Sequence, residues 1–191
     1  MNFAQFDDPS ALQRWLHARG IDTTNWGQGA AKTVDALWHE LAAGEAQLQD
    51  DPPLRKIAVV KLIIRRGEMV LHEVEQELAD GRRRPRNHAP GEKLLPGETV
   101  TAAALRGLHE EVGLAPAEVR IVSLEPPTFR ELESPSYPGL RTHYTFYAVV
   151  VAAAGLPAHT FWTEETARQA NEPVARHRWE WVKVQEDCHA K

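Results

Sequence analysis

The chain has 191 residues, enough for one domain of usual size with an appendage and short for two full domains. Hydrophobic residues at 42% and charged residues at 26% are ordinary globular usage, which argues against a disordered or fibrous chain. The formal net charge is −5, from 22 Lys and Arg against 27 Asp and Glu, the wrong sign for a general nucleic-acid binder. A single cysteine, Cys188, excludes an intrachain disulfide and a multi-cysteine zinc site, and reads as an idle thiol near the end of the chain. The longest apolar stretch, Tyr147 to Leu156, is half of what a membrane span needs. The start MNFAQFDDPS lacks a basic region followed by an apolar core, so the expectation is a soluble, cytoplasmic protein with no membrane partner.

The first fifty residues read as helical. Asp8-Pro9-Ser10 is a start signal for a short helix over residues 11–19, which Gly20 suits as an end. A second helix is expected over 30–43, where Val34, Leu37, Trp38 and Leu41 fall at i, i+3, i+4 and i+7 and form one apolar stripe. Trp26-Gly27-Gln28-Gly29 lacks the preceding strand and the following Gly-Lys-Ser/Thr of a phosphate loop, so it reads as the turn opening that helix. Asp50-Asp51-Pro52-Pro53 interrupts both periodicities. The expected boundaries are a helical appendage over 1–55, one domain over 56–186 and a tail over 187–191.

Beyond that break the pattern is extended. Residues 57–64 and 69–74 flank the turn-like Arg65-Arg66-Gly67-Glu68 as a hairpin. Residues 79–96 hold three prolines, two glycines and the basic run Arg82-Arg83-Arg84-Pro85-Arg86, and read as a loop. A helix follows over 99–112, ended by Gly113. Strands are expected at 119–124, 142–151 and 177–184, and a helix capped by Thr163 over 163–170 with Glu164 and Glu165 in its first turn.

Chemistry concentrates in Gly91 to Leu114, GEKLLPGETVTAAALRGLHEEVGL. At about 100° per residue, Thr101, Ala104, Leu105, Leu108 and Val112 share one arc that can pack on a sheet. Glu110 and Glu111 fall on the other side, flanking the direction of Gly107, and Arg106 can pair with Glu110 four residues on. Adjacent glutamates near a helix C-terminus repel each other and oppose the macrodipole. A divalent cation would offset both penalties, and hard oxygen ligands suit Mg²⁺ or Mn²⁺.

This stretch resembles the Nudix box, G-x5-E-x7-R-E-U-x-E-E-x-G-U with U aliphatic. Glu98, Arg106, Leu108, Glu110, Glu111, Gly113 and Leu114 match in unbroken register, and Leu95-Pro96-Gly97-Glu98 has the family's look where the helix opens. The resemblance implies an α/β fold, an α/β/α sandwich of mixed sheet, over roughly residues 56–186. It also implies Mg²⁺- or Mn²⁺-dependent hydrolysis of a diphosphate linkage in a nucleoside diphosphate derivative or related phosphorylated small molecule. Glu110 and Glu111 would then be metal ligands with Glu98 the third and the Gly91 carbonyl nearby, and Arg106 would orient a metal-binding glutamate. Two positions depart from the pattern: Glu92 stands at the first glycine and Gly107 at the glutamate after the arginine. Glycine within a helix costs roughly 0.5–1 kcal/mol relative to alanine, so Gly107 does not serve helix stability. Either the gap admits water, metal or a substrate phosphate, or selection on that carboxylate has lapsed. A replacement base could be Glu98, Glu131, Glu133, Glu164 or Glu165.

Blander readings stand beside these. Paired glutamates are common on solvated helix faces, and Arg106 could be a surface ion pair worth under about 1 kcal/mol. Arg82, Arg84 and Arg86, with Arg83 and His88, either reach the substrate phosphates or belong to a solvated loop; an RNA-binding loop conflicts with the acidic total and the lack of interleaved aromatics. Tyr137 and Phe129 are candidate base-stacking residues with core packing or loop anchoring as the default, and Trp179 and Trp181 read as core on one strand face. No Gly-x-Ser-x-Gly, His-Glu-x-x-His or zinc-like histidine spacing occurs. The alternative function is a catalytically inactive fold of the same family that binds a nucleotide or phosphorylated ligand as a sensor or interaction module. The amphipathic second helix is compatible with a homodimer.

Overall fold

The computed structural model describes residues 3–29, 31–166 and 174–183. Cys188, Val184, Ala30 and residues 167–170 of the helix expected from Thr163 lie outside them. The fold class is α/β, with antiparallel strand pairs and few helices. The chain divides into two compact units. The first comprises residues up to Val59, Lys93–Glu98 and Pro127–Phe146; the second comprises Val60–Glu92, Thr99–Pro126 and the residues from Tyr147 on.

In the first unit, β1 (Phe3–Ala4) pairs with β2 (Gln47–Gln49), and β2 pairs with the start of β3 (Leu54–Arg66). Helix α1 (Pro9–Ala18) begins where the Asp8 carboxylate accepts the Ala11 N–H at 2.7 Å, and Pro9, lacking an N–H, fits its first turn. Helix α2 (Val34–Ala42) begins where the Thr33 hydroxyl accepts the Ala36 N–H at 3.1 Å. Its apolar stripe is used within the chain: Leu37 is fully buried with Leu12, Leu16, Ile21, Trp26, Leu48, Tyr137 and Leu140, and Val34, Trp38 and Leu41 pack against that cluster. Tyr137 is therefore a core residue, tilted against Trp26 at 5.1 Å between ring centroids.

Inside this unit Glu40 forms a buried ion pair with Arg55 (2.6 Å), and Lys32 and Lys93 approach it at 3.1 and 3.0 Å. Burial alone would raise the Glu40 pKa, but Arg55, Lys93 and Lys32 outweigh it and hold the value at about 2.

In the second unit the expected hairpin is present and longer, with Arg65 opposite Val70 across the Gly67 turn and β4 running over Met69–Leu78. The expected loop at 79–96 is corrected: it contains β5 (Arg83–His88) and β6 (Gly91–Lys93), which pair with β4 and β3. The basic run becomes a strand because its charges meet acceptors across the ladder. Arg83 reaches Glu75 and Glu77, Arg84 Nε donates to Gln76 at 2.6 Å, and Arg86 Nε donates to Glu73 at 3.1 Å. The remaining edge of β4 pairs with β11 (Val174–Lys183) along its length.

The expected helix from Thr163 is also corrected. Thr163 and Glu164 end strand β10 (Phe161–Glu164), which pairs with β11, since Phe161-Trp162-Thr163 fits a pleated surface better than a helical one. Between these lie α3 (Val100–Glu110), a single helical turn at Pro116–Glu118 and β7 (Val119–Leu124), which pairs with the second half of β9 (Arg141–Ala153). The first half of β9 pairs with β8 (Thr128–Glu133) in the first unit, a strand not expected from the sequence. Trp179 is fully buried, while Trp181 is half-buried beneath the Arg66 guanidinium at 4.2 Å.

Candidate active site

Helix α3 carries the stretch richest in chemistry. The Thr99 hydroxyl accepts the Ala102 N–H at 3.1 Å to start it, and Leu114 N–H returns to the Leu108 carbonyl at 3.1 Å beyond its end, with Gly113 at φ 76° making the turn. The buried residues are Ala103, Ala104, Gly107 and Leu108, so the packed face is turned toward Gly107 from the arc expected through Thr101 and Leu105. A Cβ on Gly107 would meet Glu92 Cβ at 2.9 Å and Leu62 Cδ1 at 3.3 Å. The missing side chain is thus what lets the helix lie close on β3 and β6.

Arg106 Nη1 lies 3.4 Å from Glu110 Oε2, the expected pair along the helix, and 3.1 Å from Glu92 Oε1. Glu111 follows the last turn among carboxylates from three other elements: Glu73 on β4, Glu92 on β6 and Glu165 just after β10. Burial raises the Glu111 pKa well above the usual carboxylate range. His177 opposes that shift, and Glu73, Glu92 and Glu165 add to it. An edge of Glu111 still reaches solvent.

His177 lies among these carboxylates. Its Nδ1 is 2.5 Å from Glu73 Oε1 and its Nε2 3.0 Å from Glu165 Oε2, with all three side chains 2% exposed. A neutral imidazole has one N–H, so donation to two carboxylates requires the imidazolium. Burial works to lower its pKa, but the hydrogen bonds to Glu165 and Glu73 and the surrounding negative charge bring it to about 9. Burial likewise works to raise Glu73, yet hydrogen bonding to His177 and the charges of His177 and Arg86 hold it below the usual range.

The backbone brings Glu165 here. Thr166 N–H donates to the Glu110 carbonyl at 3.2 Å, the Thr163 hydroxyl donates to the Glu111 carbonyl, and Glu165 N–H donates to Ala175 O at 3.0 Å. The exposed carbonyls at the end of α3 are thereby satisfied by the segment after β10.

The model of the NUDIX domain matches residues 52–187, well over half of the chain. The chain belongs to the Nudix family. No curated protein matches it. Among solved structures it is similar to a NUDIX hydrolase from Nitrosomonas europaea at 17% identity and TM-score 0.44, covering 68% of this chain and 73% of that one. A C. elegans Ap4A hydrolase is similar at 16% identity and TM-score 0.36, with 66% and 80% covered. An E. coli dihydroneopterin triphosphate pyrophosphohydrolase is similar at 15% identity and TM-score 0.37, with the same shares covered.

Within this Nudix chain, Arg106, Glu110 and Glu111 lie together in the second unit with Glu165. Glu98 belongs to the first unit, where its carboxylate accepts the Leu95 N–H at 3.1 Å. Glu131, paired with Arg141, and the exposed Glu133 also belong to the first unit, and Glu164 is exposed at the end of β10. The basic run is dispersed: Arg82 is exposed beside Asp80, Arg84 bonds Gln76, and Arg86 belongs to the Glu73–His177 group. Sequence reading did not single out Glu73 or His177. The available signal was the alternation Glu73-x-Glu75-x-Glu77 preceding an arginine run, which marks a charge-complementary ladder.

The donor chemistry fits the divalent cation that the family implies. Burial first, and then the charges of Glu73, Glu92 and Glu165, raise the proton affinity of Glu111, a penalty that a dication in the proton's place would offset with hard carboxylate ligands. Among the described residues, no three His, Cys, Asp or Glu side chains already form a group that could hold a metal. A cavity of about 570 Å³ in the first unit is lined by Leu94, Leu95 and Pro96 of the box with Lys56, His143 and Thr145, and by none of the carboxylates around Glu111. Among the described residues no helix is long and apolar enough to cross a membrane.

Proposed function

We propose that this Nudix domain hydrolyses a diphosphate linkage in a nucleoside diphosphate derivative or a related phosphorylated small molecule, with Mg²⁺ or Mn²⁺ as cofactor. The observation that carries the reading is Glu111, set among Glu73, Glu92 and Glu165 at the end of the box helix. Glu110 and Glu111 would hold the cation, with Glu98 as the third ligand. When bound, it would neutralise diphosphate oxygens and acidify a water. Arg106 keeps Glu110 positioned at the helix end. Glu165 is the base candidate nearest these groups, and His177 Nε2, 3.0 Å from its Oε2, fixes the orientation of its carboxylate. Arg82, the most exposed arginine of the basic run, is assigned to substrate phosphate together with Arg84 and Arg86.

Nucleic acid is a poor fit to a chain of net charge −5 whose arginine run already faces carboxylates. The proposed organisation is an appendage over 1–55, the Nudix domain over 56–186 and a tail over 187–191, in a cytoplasmic protein. A homodimer is also proposed, to be tested by light scattering; the apolar stripe of α2 on which the expectation rested packs within the chain.

One observation favours a second reading, an inactive Nudix fold that binds a phosphorylated ligand. The His177 imidazolium already neutralises part of the cluster, and no ready-made metal group is present among the described residues. The deciding assay is phosphate release from dinucleoside polyphosphates, nucleotide sugars, ADP-ribose, NADH and nucleoside triphosphates, with and without Mg²⁺ or Mn²⁺. Metal-dependent release abolished by Glu110→Gln and Glu111→Gln establishes the hydrolase. No release, with a ligand still raising the melting temperature, establishes the binding module.

A further inference from the structure

We propose that Glu92 and Gly107 are a reciprocal exchange: Glu92 on β6 supplies the carboxylate that the Nudix pattern places at position 107, and Gly107 makes room for it. The proposal rests on the hydrolase reading above and deepens it by naming a further cation-facing residue. In the sequence the two positions are separate departures, a glutamate where the pattern has glycine and a glycine where it has glutamate. In space they adjoin. A Cβ at position 107 would sit 2.9 Å from Glu92 Cβ, closer than two such atoms approach in real structures. Glu92 Cβ is not the movable end of a side chain, and β6 is tied to β3, with Leu62 N–H donating to Pro90 O at 2.9 Å. Side chains at both positions therefore require the backbone to shift. Gly107 is neither an open gap nor by itself a sign of lapsed function.

The carboxylate also has the right partners. Arg106 Nη1 holds Glu92 Oε1 at 3.1 Å and Glu110 Oε2 at 3.4 Å, so one nitrogen sets the two carboxylates side by side. The plainer possibility is that Glu92 only anchors Arg106. That role predicts lost stability with no special effect on cation binding, which makes the two separable.

The test uses the full chain. Mn²⁺ affinity is measured by titration calorimetry, and Tm without metal, on wild type, Glu92→Gln, Gly107→Glu, the double variant Glu92→Gly/Gly107→Glu, and Glu111→Gln as control. Glu92→Gln should weaken Mn²⁺ binding by about 10-fold or more. Gly107→Glu alone should lower Tm by roughly 3–10 °C from overpacking. The double variant should recover most of that Tm and the Mn²⁺ affinity, a strong departure from additivity. Wild-type Mn²⁺ affinity in Glu92→Gln overturns the exchange, and so does a double variant less stable than Gly107→Glu. If Glu111→Gln abolishes Mn²⁺ binding while Glu92→Gln leaves it intact, the exchange falls and the hydrolase reading stands. If the wild type binds no Mn²⁺ and releases no phosphate, the hydrolase reading falls and the exchange with it. Should Gly107→Glu not fold, Glu92→Gln decides alone.

Discussion

His177 Nδ1 lies 2.5 Å from Glu73 Oε1, and neither side chain is more than 2% exposed. A buried charge pair of this kind is costly to break because the surviving partner keeps its desolvation penalty. Glu165 makes the dependence on the imidazolium double. His177→Ala should therefore cost about 3–5 kcal/mol in urea denaturation. A loss below about 1 kcal/mol would mean that the two carboxylates are relieved by protonation and that the pair is not a structural requirement.

Glu40 sets an acid limit on stability. Its pKa falls from the ordinary 4.5 to about 2 on folding, so the unfolded chain binds more protons between those values. The stabilisation is fully present above pH 4.5 and is lost as pH falls toward 2, amounting to about 3 kcal/mol. Denaturation of wild type and Glu40→Gln between pH 2 and pH 6 should show curves that diverge above about pH 4 and converge in acid. Parallel curves would refute the assignment.

Glu111 has the opposite sign. Its raised pKa means that the folded chain keeps a proton which the unfolded chain releases, so this group subtracts stability as pH rises above the ordinary carboxylate range. Without metal, Glu111→Gln should be as stable as wild type or more stable at pH 7. Metal-dependent hydrolysis should nevertheless fall by at least about 100-fold. Destabilisation without metal would show that the charged form is the one the fold favours.

Thr163 joins three elements. Its hydroxyl accepts the Trp179 indole N–H at 2.7 Å and donates to the Glu111 carbonyl. Thr163→Val keeps the shape and removes both bonds, leaving the donor of a fully buried tryptophan unpaired. A loss of about 1–3 kcal/mol is expected by thermal denaturation.

Arg82 and Arg86 should separate binding from folding. Arg82 is 71% exposed, so Arg82→Ala should leave Tm unchanged while raising KM for the diphosphate substrate. Arg86 pairs with the buried Glu73, so Arg86→Ala should lower Tm as well. An unchanged KM in both variants would remove the basic run from the substrate site.

Local chemistry was readable along the chain wherever a short-range rule governs it. Asp8 and Thr99 mark helix starts because a capping side chain needs only the next three residues, whereas α2 starts at Val34, later than the expected residue 30, and β7 and the helix carrying the box follow from periodicity. The Arg106–Glu110 pair follows from helical spacing alone. Position 163 went the other way because capping residues also suit strand ends, and pairing with β11 decided between them. The arginine run looked like a loop because its ordering depends on Glu73, Gln76 and Glu77 across a ladder whose register no local rule supplies.

The sequence by itself therefore determined the family, the helix bearing the box and the two positions where the box departs from its pattern. Only the tertiary structure decided that those positions touch, that His177 lies between Glu73 and Glu165, and that the segment after β10 closes on the end of α3. Each of these joins residues 12 to 104 apart in the chain, where strand pairing and burial, rather than spacing, determine which charges meet.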